Sequence, residues 1–446
     1  MTNRSSTADR EDKGRRFWTC AATRAVAGQE IFAAAFIGQV FASAGNFAVN
    51  IILANAVGPR LFGFWALGWI AIQVVAAVHN VAIQLPAQVL SRDDKGGIDQ
   101  SFLAATAVLS AIYALAAALG VIGVMAIILP DFSWTIVAAF GVLTFGWLVN
   151  EFNRRALIAR GSYKQMNISE MARALLTTGA VFALTVVAEG MTLLAGGAWI
   201  MSLILVAIGL LNARVLTRGS RLAKNTLLGA ARRCWLHSRW MLPMGITSRA
   251  GPDVSLALAA GVLGPAAVGG FRAMAQIVSV LNLVFQSLQV ALPVRIVEVR
   301  ARSGDLAVGR LVKRLSLSLL LVFPLAMGGA IVLGPAVINL LLGPRYLAYV
   351  DVLYWLVLLY LVLFLQLPLS CWAHALGVGS GLVIPNMVGA AVAVALVVPL
   401  VSRLGIAGAA AAYVCMYLIE ALGTAAVVAR ALRKRAGLQI DKGATC

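Results

Sequence analysis

The segments VGPRLFGF (residues 57–64) and LGPAAVGGF (residues 263–271) repeat one pattern about two hundred residues apart. Each begins a long apolar stretch that reaches Leu-Pro, at residues 85–86 in the first copy and 292–293 in the second. Gly and Pro mark turns in many proteins, but the matched Leu-Pro argues against coincidence. The repeat therefore predicts two copies of one membrane lobe. Paired lobes with a site between them are the usual plan of a transporter.

The composition predicts a protein that crosses the membrane many times. The 446 residues are 61% hydrophobic and only 12% charged, with a mean hydropathy of +0.90. Soluble domains are about half apolar and about a quarter charged. Runs such as residues 102–129 and 352–369 reach or approach the ~20 residues that span a bilayer. We expect an all-α polytopic membrane protein, with about 12 transmembrane helices in two pseudo-symmetric six-helix bundles.

The helical segments divide the chain into five regions. We expect a cytoplasmic N-terminal tail (1–30), a first bundle (31–213), a basic amphipathic linker on the inner membrane surface (214–239), a second bundle (240–429) and a cytoplasmic tail (430–446). The spans are placed at residues 31–56, 62–88, 101–128, 133–157, 167–188, 191–213, 240–262, 266–293, 312–334, 350–376, 381–402 and 406–429.

The net charge of +19 comes mainly from Lys and Arg in the termini and in alternate loops. That is the positive-inside pattern, so both termini are expected in the cytoplasm and the charge is expected to contact anionic lipid headgroups. Nucleic acid is not an expected partner. Five scattered cysteines without a CxxC pair predict free thiols, with neither a disulfide framework nor a zinc site.

Polar side chains recur on single faces of the repeated helices, at helical steps of three, four and seven. The residues are Gln39, Ser43, Asn46 and Asn50; then Gln73, Asn80 and Gln84; then Arg272, Gln276, Ser279, Asn282, Gln286 and Gln289. Such stripes predict a wet central cleft, because polar groups in lipid are costly. Hydrogen bonds between helices are the alternative.

Charged residues inside spans give further candidates. Arg249 and Asp253 lie one turn apart, which suggests an anion-binding arginine held by an aspartate, or else a structural ion pair. Glu420 is a candidate for a coupling-ion carboxylate, with a hydrogen-bonded structural glutamate as the alternative.

Other polar residues are interpreted structurally. His79 and His374 are expected to be satisfied core or interface histidines. Residues 150–155, Glu170 and Arg173 are interpreted as anchors and loop pairs near the inner interface.

Catalytic signatures such as HExxH, the P-loop and GxSxG are absent from the sequence. We therefore expect no enzyme activity, no cofactor, no metal site and no internal ATPase. An enzyme such as a membrane glycosyltransferase would need carboxylates grouped near the headgroups, whereas the acids in or near the spans are few and isolated.

Four segments in order resemble the polysaccharide flippases, a branch of the multidrug/oligosaccharidyl-lipid/polysaccharide exporter superfamily. They are IILANAVGPRLFGF (51–64), DVSLALAAGVLGPAAVGGFR (253–272), LGPRYLAYVDVL (342–353) and LGIAGAAAAY (404–413). The similarity covers residues from about 31 to 430.

The resemblance implies an O-antigen-type flippase of the bacterial inner membrane. It implies transfer of polyprenyl-pyrophosphate-linked oligosaccharides between leaflets by alternating access of two bundles, for lipopolysaccharide or exopolysaccharide synthesis. Polysaccharide polymerase and chain-length machinery are the implied partners. Cavity arginines would bind the pyrophosphate, and Arg249 and Arg272 are the candidates. We expect the second lobe to hold the pyrophosphate and the first lobe, with Gln39, Asn46 and Asn50, to accommodate sugar.

A cation-coupled multidrug exporter of the same fold is the main alternative. Its members commonly use an acidic residue in the first helix, and the first span has none after Glu30. A lipid II flippase commonly has more helices than the twelve predicted for this chain, and a more cationic cavity. The twelve predicted spans therefore disfavour a lipid II flippase.

Overall fold

The computed structural model is helical almost throughout. It describes the backbone of residues 5–91, 98–128, 134–217, 224–239 and 241–444. Side chains are described within these ranges except at residues 5–36, 128, 224–225, 244, 248–250, 283, 287, 290–291, 294 and 435–444. No β-strand occurs in the described ranges. The expectation of an all-α protein is confirmed.

Thirteen α-helices follow one another along the described chain. They are α1 (Ser5–His79), α2 (Leu85–Leu90), α3 (Gln100–Ile128), α4 (Trp134–Ala159), α5 (Tyr163–Val187), α6 (Gly190–Thr217), α7 (Lys224–Ser238), α8 (Leu242–Leu263), α9 (Pro265–Val278), α10 (Val280–Leu342), α11 (Val350–Ala375), α12 (Val383–Leu404) and α13 (Ala407–Ala444). A π-helical segment, Asn80–Gln84, joins α1 to α2, and 3-10 turns cover Pro344–Tyr349 and Gly379–Leu382.

The described helices supply the expected twelve passes. Nine helical stretches in these ranges are long and apolar enough to cross a membrane, or ten if α9 and the start of α10 form one bent span. The stretch Ile37–Leu90 contains two passes, because Gly58 interrupts the helical geometry of α1. With 22 residues, α8 is about 33 Å long, which is enough for the remaining pass.

The helices pack as two groups of six passes. In the first group α4 packs on α3 and α6, and α1 packs on α5. In the second group α13 packs on α11 and α12, α10 on α11, and α8 on α12. The main contacts between the groups run from α1 to α8 and α9. We call the two groups the first and second lobes.

The two Gly-Pro repeats meet at the interface between the lobes. Gly58 (φ 75°, ψ 173°) and Gly264 (φ 82°, ψ 171°) have the same conformation, which favours glycine, and a proline follows each. A Cβ on Gly63 would lie 1.8 Å from Pro265 O, and one on Gly269 would lie 2.0 Å from Pro59 O. The contact is reciprocal, as expected for two copies of one element related by a two-fold axis.

A third Gly-Pro turn closes the same side of the molecule. Gly343 (φ 85°) precedes the 3-10 turn, and Tyr346 Oη in that turn donates to Ala54 O at 2.9 Å. Asn55 Nδ2 donates to Leu341 O at 3.2 Å. One buried core continues here through both lobes and includes Leu53, Val268 and Tyr346. The side that carries these three turns is called the Gly-Pro side below.

Within the predicted linker, residues 224–238 form helix α7, one face of which packs on α3. Ala230 and Cys234 are buried against Phe102. Arg233 Nη1 lies 3.3 Å from Asp99 Oδ2, and its guanidinium lies 4.3 Å from the centre of the Phe102 ring. Leu228, Arg232 and Trp235 are exposed on the other face. Burial raises the pKa of the Cys234 thiol to about 11, although nearby Arg233 opposes the rise.

Replacing Gly269 with Ala should separate the lobes on the Gly-Pro side. The new Cβ would overlap Pro59 O, and overpacking of this kind costs about 1–3 kcal/mol. Thermal unfolding in detergent and cysteine cross-linking between Asn55→Cys and Leu341→Cys both report the change. Gly261→Ala is the control, because no atom lies within 4 Å of its Cβ. Equal melting and cross-linking of Gly269→Ala and wild type would contradict the close contact.

Cys234 should react slowly with a maleimide near neutral pH, because the thiolate is the nucleophile and its pKa is raised to about 11. Asp99→Asn removes the ion pair that holds α7 on α3, so labelling should accelerate about tenfold in a background where the other cysteines are serine. Glu298→Gln, which removes two exposed ion pairs far along the chain, with Arg295 and Arg302, is the control. An unchanged rate in Asp99→Asn would show that the pair does not dock α7.

Candidate functional site

A cavity of about 200 Å³ lies among helices of the first lobe and reaches α8 of the second. We call it the main cavity. Most of its wall is polar. Its polar and charged lining residues are Gln39, Ser43, Asn46, Gln73, Asn80, Gln84, Asn150, Glu151, Arg154, Arg155, Glu170, Arg173 and Asp253.

Two of the predicted polar stripes line this cavity. The first half of α1 contributes Gln39, Ser43 and Asn46, and the second half with its π-helical segment contributes Gln73, Asn80 and Gln84. Gln39 Nε2 donates to Ser43 Oγ at 3.3 Å, so hydrogen bonds also run along the stripe. That bond lies within α1, whereas the bonds that Gln39 and Asn46 accept from Arg154 and Arg173 join α1 to α4 and α5.

Near the end of α4, two arginines share one carboxylate. Arg154 donates from Nη2 and Nε to the two oxygens of Glu151, at 2.6 and 3.2 Å. Arg155 Nε donates to Glu151 Oε1 at 3.3 Å. Arg154 Nη1 donates to Gln39 Oε1 at 2.8 Å, which ties α4 to α1. The three charged side chains are only about one fifth to one quarter exposed and leave one net positive charge.

A second, deeper ion pair lies on α5. Arg173 and Glu170 are buried, with side chains 5% and 3% exposed, and Arg173 Nη2 lies 2.7 Å from Glu170 Oε2. Arg173 Nη1 donates to Asn46 Oδ1 at 3.1 Å, and the guanidinium lies 5.7 Å from the centre of the Trp147 ring. Arg154 and Arg173 thus each donate both to a carboxylate and to a neutral amide of α1.

These positions correct one expectation. Residues 150–155, Glu170 and Arg173 were expected to be anchors and loop pairs, but Asn150, Glu151, Arg154, Arg155, Glu170 and Arg173 line the main cavity. The first lobe, which was expected to accommodate sugar, therefore also holds a buried ion pair, Arg173–Glu170. The sequence shows these charged residues at i, i+3 and i+4 spacing. It does not show how deeply each side chain is buried.

Asp253 pairs across the turn between α8 and α9. Arg272 Nη2 lies 2.6 Å from Asp253 Oδ1, so Arg272 is the partner of this aspartate among the described side chains. Arg249 belongs to α8, and its side chain lies outside the described residues. Asp253 lines the main cavity, whereas Arg272 lines a smaller cavity of about 60 Å³ between the lobes.

Two further residues of the predicted set line the smaller cavity. Asn50 and Gln276 line it together with Arg272, Trp65 and Trp69. Trp65 Nε1 donates to Asn50 Oδ1 at 3.1 Å. Among the described lining residues of these two cavities, Asn282 does not occur; it is half-buried in α10.

Glu420 is buried away from both cavities, in the second lobe. Gln366 Nε2 donates to its Oε2 at 3.0 Å, and no described residue partners its buried Oε1. On the same helix, Tyr413 Oη donates to Pro252 O of α8.

The interpretation of His79 as a satisfied core histidine is confirmed. Its Nε2 lies 2.9 Å from Ser110 Oγ and its Nδ1 lies 2.9 Å from Gln84 Nε2.

The sequence matches no family model and no curated protein sequence. Solved structures of similar fold exist. A multidrug resistance MATE family transporter of the MOP superfamily, in an inward-facing conformation, aligns with a TM-score of 0.63 and 13% identity over 91% of this chain and 99% of the other.

Two further structures align similarly well. The lipid II flippase MurJ in an inward closed conformation has a TM-score of 0.62 and 9% identity, covering 87% of this chain and 86% of its own. The eukaryotic MATE transporter AtDTX14 has a TM-score of 0.61 and 13% identity, covering 92% and 98%. At such identities the likeness shows the fold alone, which is the fold of MOP superfamily transporters.

Replacing Arg173 with Gln should destabilise the protein by about 3–5 kcal/mol, because it leaves the Glu170 carboxylate buried without its counter-charge. The double variant Glu170→Gln/Arg173→Gln should recover part of that loss. Chemical unfolding in mixed micelles measures both. Arg295→Gln is the control, since it breaks an exposed i,i+3 pair that is worth less than about 1 kcal/mol. Equal losses for Arg173→Gln and Arg295→Gln would contradict the burial of the pair.

Proposed function

We propose that this protein is a flippase. Its substrate would be an oligosaccharide linked to a polyprenyl pyrophosphate, and it would move this lipid across the bacterial inner membrane by alternating access for surface polysaccharide synthesis. Both termini would lie in the cytoplasm, as the distribution of Lys and Arg predicts.

The observation that carries the proposal is the cluster of three arginines in the main cavity, Arg154, Arg155 and Arg173. Guanidinium groups present planar pairs of donors that match phosphate oxygens. Arg154 and Arg173 each donate one bond to a neutral amide, Gln39 or Asn46. A phosphate oxygen could replace that amide oxygen without leaving a carboxylate unpaired. The net positive charge at Glu151 further favours an anion.

The position of this cluster changes where we place the pyrophosphate. The first lobe would hold it, rather than the second lobe. Arg272 is compensated by Asp253 at 2.6 Å, so it is a weaker candidate for the first contact. It remains a candidate for a later contact, because it lines the smaller cavity between the lobes on the way to the Gly-Pro side.

Alternating access would require the Gly-Pro side to separate. Measured along α1, Asn46 lies about 18 Å and Gln39 about 28 Å from Gly58 at 1.5 Å per residue. The main cavity is therefore well removed from the closed side. A lipid headgroup would bind in this cavity from the opposite side, and separation of the Gly63 and Gly269 contacts would then expose it. Glu420 is our candidate for the coupling group, because it is a buried carboxylate whose described hydrogen-bond donor is a neutral amide.

A cation-coupled multidrug exporter is the second candidate. The observation in its favour is that three carboxylates, Glu151, Glu170 and Asp253, line the main cavity. Each of them is within 2.7 Å of an arginine nitrogen. A cationic drug would have to displace an arginine to reach a carboxylate, whereas an anion has only amides to displace. This difference favours the flippase.

The double variant Arg154→Gln/Arg155→Gln should lower flipping of a lipid-linked oligosaccharide about 10- to 100-fold, the effect of losing one or two charge-assisted hydrogen bonds. Complementation of strains that lack defined polysaccharide flippases measures this, with protein levels determined in parallel. Arg160→Gln is the control, because Arg160 Nη1 donates to Val215 O at the end of α6 and is not among the lining residues of the main cavity.

Two outcomes would contradict the proposal. Full complementation by the double variant at equal protein level would show that these two arginines do not bind the substrate. Failure of wild type in every strain, together with increased resistance to cationic drugs, would favour the multidrug exporter.

A further inference from the structure

A π-helical segment forms one wall of the main cavity. In Asn80–Gln84 the N–H of Leu85 donates to Asn80 O, five residues earlier. Pro86 explains the local change, because proline lacks an N–H and its ring clashes with the carbonyl four residues earlier in a regular α-helix. That carbonyl, Ala82 O, accepts a hydrogen bond from Ser238 Oγ of α7 at 3.4 Å. Single π turns inside helices are frequent at functional sites.

A chain of buried groups fixes the side chain of Gln84. Its Nε2 lies 2.9 Å from His79 Nδ1, and His79 Nε2 lies 2.9 Å from Ser110 Oγ. The His79 ring also stacks on Tyr113 at 5.0 Å, with only 8° between the ring planes. The nitrogen of the Gln84 amide is thus held by His79, and Gln84 is also a lining residue of the main cavity.

Asn80 and Gln84, which both line the main cavity, each have one side-chain oxygen that lacks a partner. Asn80 Oδ1 and Gln84 Oε1 are buried, and no described residue donates a hydrogen bond to either. By contrast, the amide oxygens of Gln39 and Asn46 in the same cavity each accept from an arginine. A buried polar atom without a partner costs free energy, so a ligand that covers these two oxygens must bring its own donors.

We propose that Asn80 and Gln84 form a hydroxyl-binding subsite that holds a sugar of the carried headgroup while the arginines hold its pyrophosphate. This inference rests on the proposed function. Sugar hydroxyls suit the subsite because each can donate and accept. An apolar ligand would bring no hydrogen-bond donor to either oxygen, so the subsite would also select against hydrophobic drugs.

Equilibrium binding to the full-length protein in lipid nanodiscs tests the subsite. The probes are farnesyl pyrophosphate and three farnesyl-pyrophosphate glycosides that carry N-acetylglucosamine, glucose or galactose. Wild type should bind at least one glycoside about tenfold more tightly than farnesyl pyrophosphate, as expected for two added hydrogen bonds. Asn80→Leu/Gln84→Met should bind all four equally, with unchanged affinity for farnesyl pyrophosphate.

The controls separate binding from stability. Gln165→Leu removes a polar side chain of the first lobe that donates to Asn212 Oδ1 and is not among the lining residues of the main cavity, so its glycoside preference should persist. Without ligand, Asn80→Leu should melt no lower than wild type, because it removes an unpaired buried oxygen. A lower melting temperature together with a retained preference would indicate a purely structural role and overturn the subsite.

The remaining outcomes distinguish the two proposals. If wild type binds farnesyl pyrophosphate but prefers none of the glycosides, the subsite is wrong and the anion site stands. A preference that survives in the double variant likewise overturns the subsite. If none of the four probes binds, the proposed function fails and the subsite fails with it.

Discussion

The close approach of Gly63 to Pro265 and of Gly269 to Pro59 is the contact on which the rest of the arrangement depends. A Cβ on either glycine would lie within 2.0 Å of a carbonyl oxygen on the other lobe, so the backbones touch directly. The reciprocal geometry places the repeated helices α1 and α9 against each other across the lobe interface. Because this side is closed, the polar faces of α1 can enclose a cavity farther along the same helix. A contact made by backbone rather than by interlocking side chains is also one that two rigid lobes can break and re-form.

In the main cavity, which lies beyond this contact, buried arginines are compensated by buried carboxylates. Each of its arginines is paired with a carboxylate, which makes burial tolerable, and the pairs are linked to α1 by Gln39 and Asn46. A ligand anion would therefore exchange neutral partners rather than separate an ion pair. This arrangement keeps the empty cavity stable and still leaves positive charge for a headgroup. The amides at the π-helical segment complete it with hydrogen-bonding atoms that a sugar can satisfy.

Much of the fold could be predicted from the sequence, because the length of an apolar run and the position of Gly-Pro are local properties. The predicted span 101–128 corresponds to α3 (Gln100–Ile128), and the predicted linker contains α7. The polar stripes of α1 were also predictable, since helical periodicity places Gln39 and Asn46 on one face.

The charged part of the site was not predictable, because it depends on contacts between helices. Asp253 has a possible partner one turn away at Arg249, yet the structure pairs it with Arg272 across the Gly264 turn. Likewise, Arg173 was assigned to the interface because its span was placed too far along the chain; α5 begins at Tyr163, which moves Arg173 inward by about one turn. The π-helical segment is a response to Pro86 that no apolar pattern reveals.

A structure of the protein with a lipid-linked oligosaccharide bound would test the central claim most directly, namely that the arginines of the first lobe hold the lipid pyrophosphate. The account predicts that both phosphorus atoms lie in the main cavity, within about 4 Å of guanidinium nitrogens of Arg154, Arg155 or Arg173. A pyrophosphate bound instead at Arg249 or Arg272, with the first-lobe arginines still on Gln39 and Asn46, would contradict it.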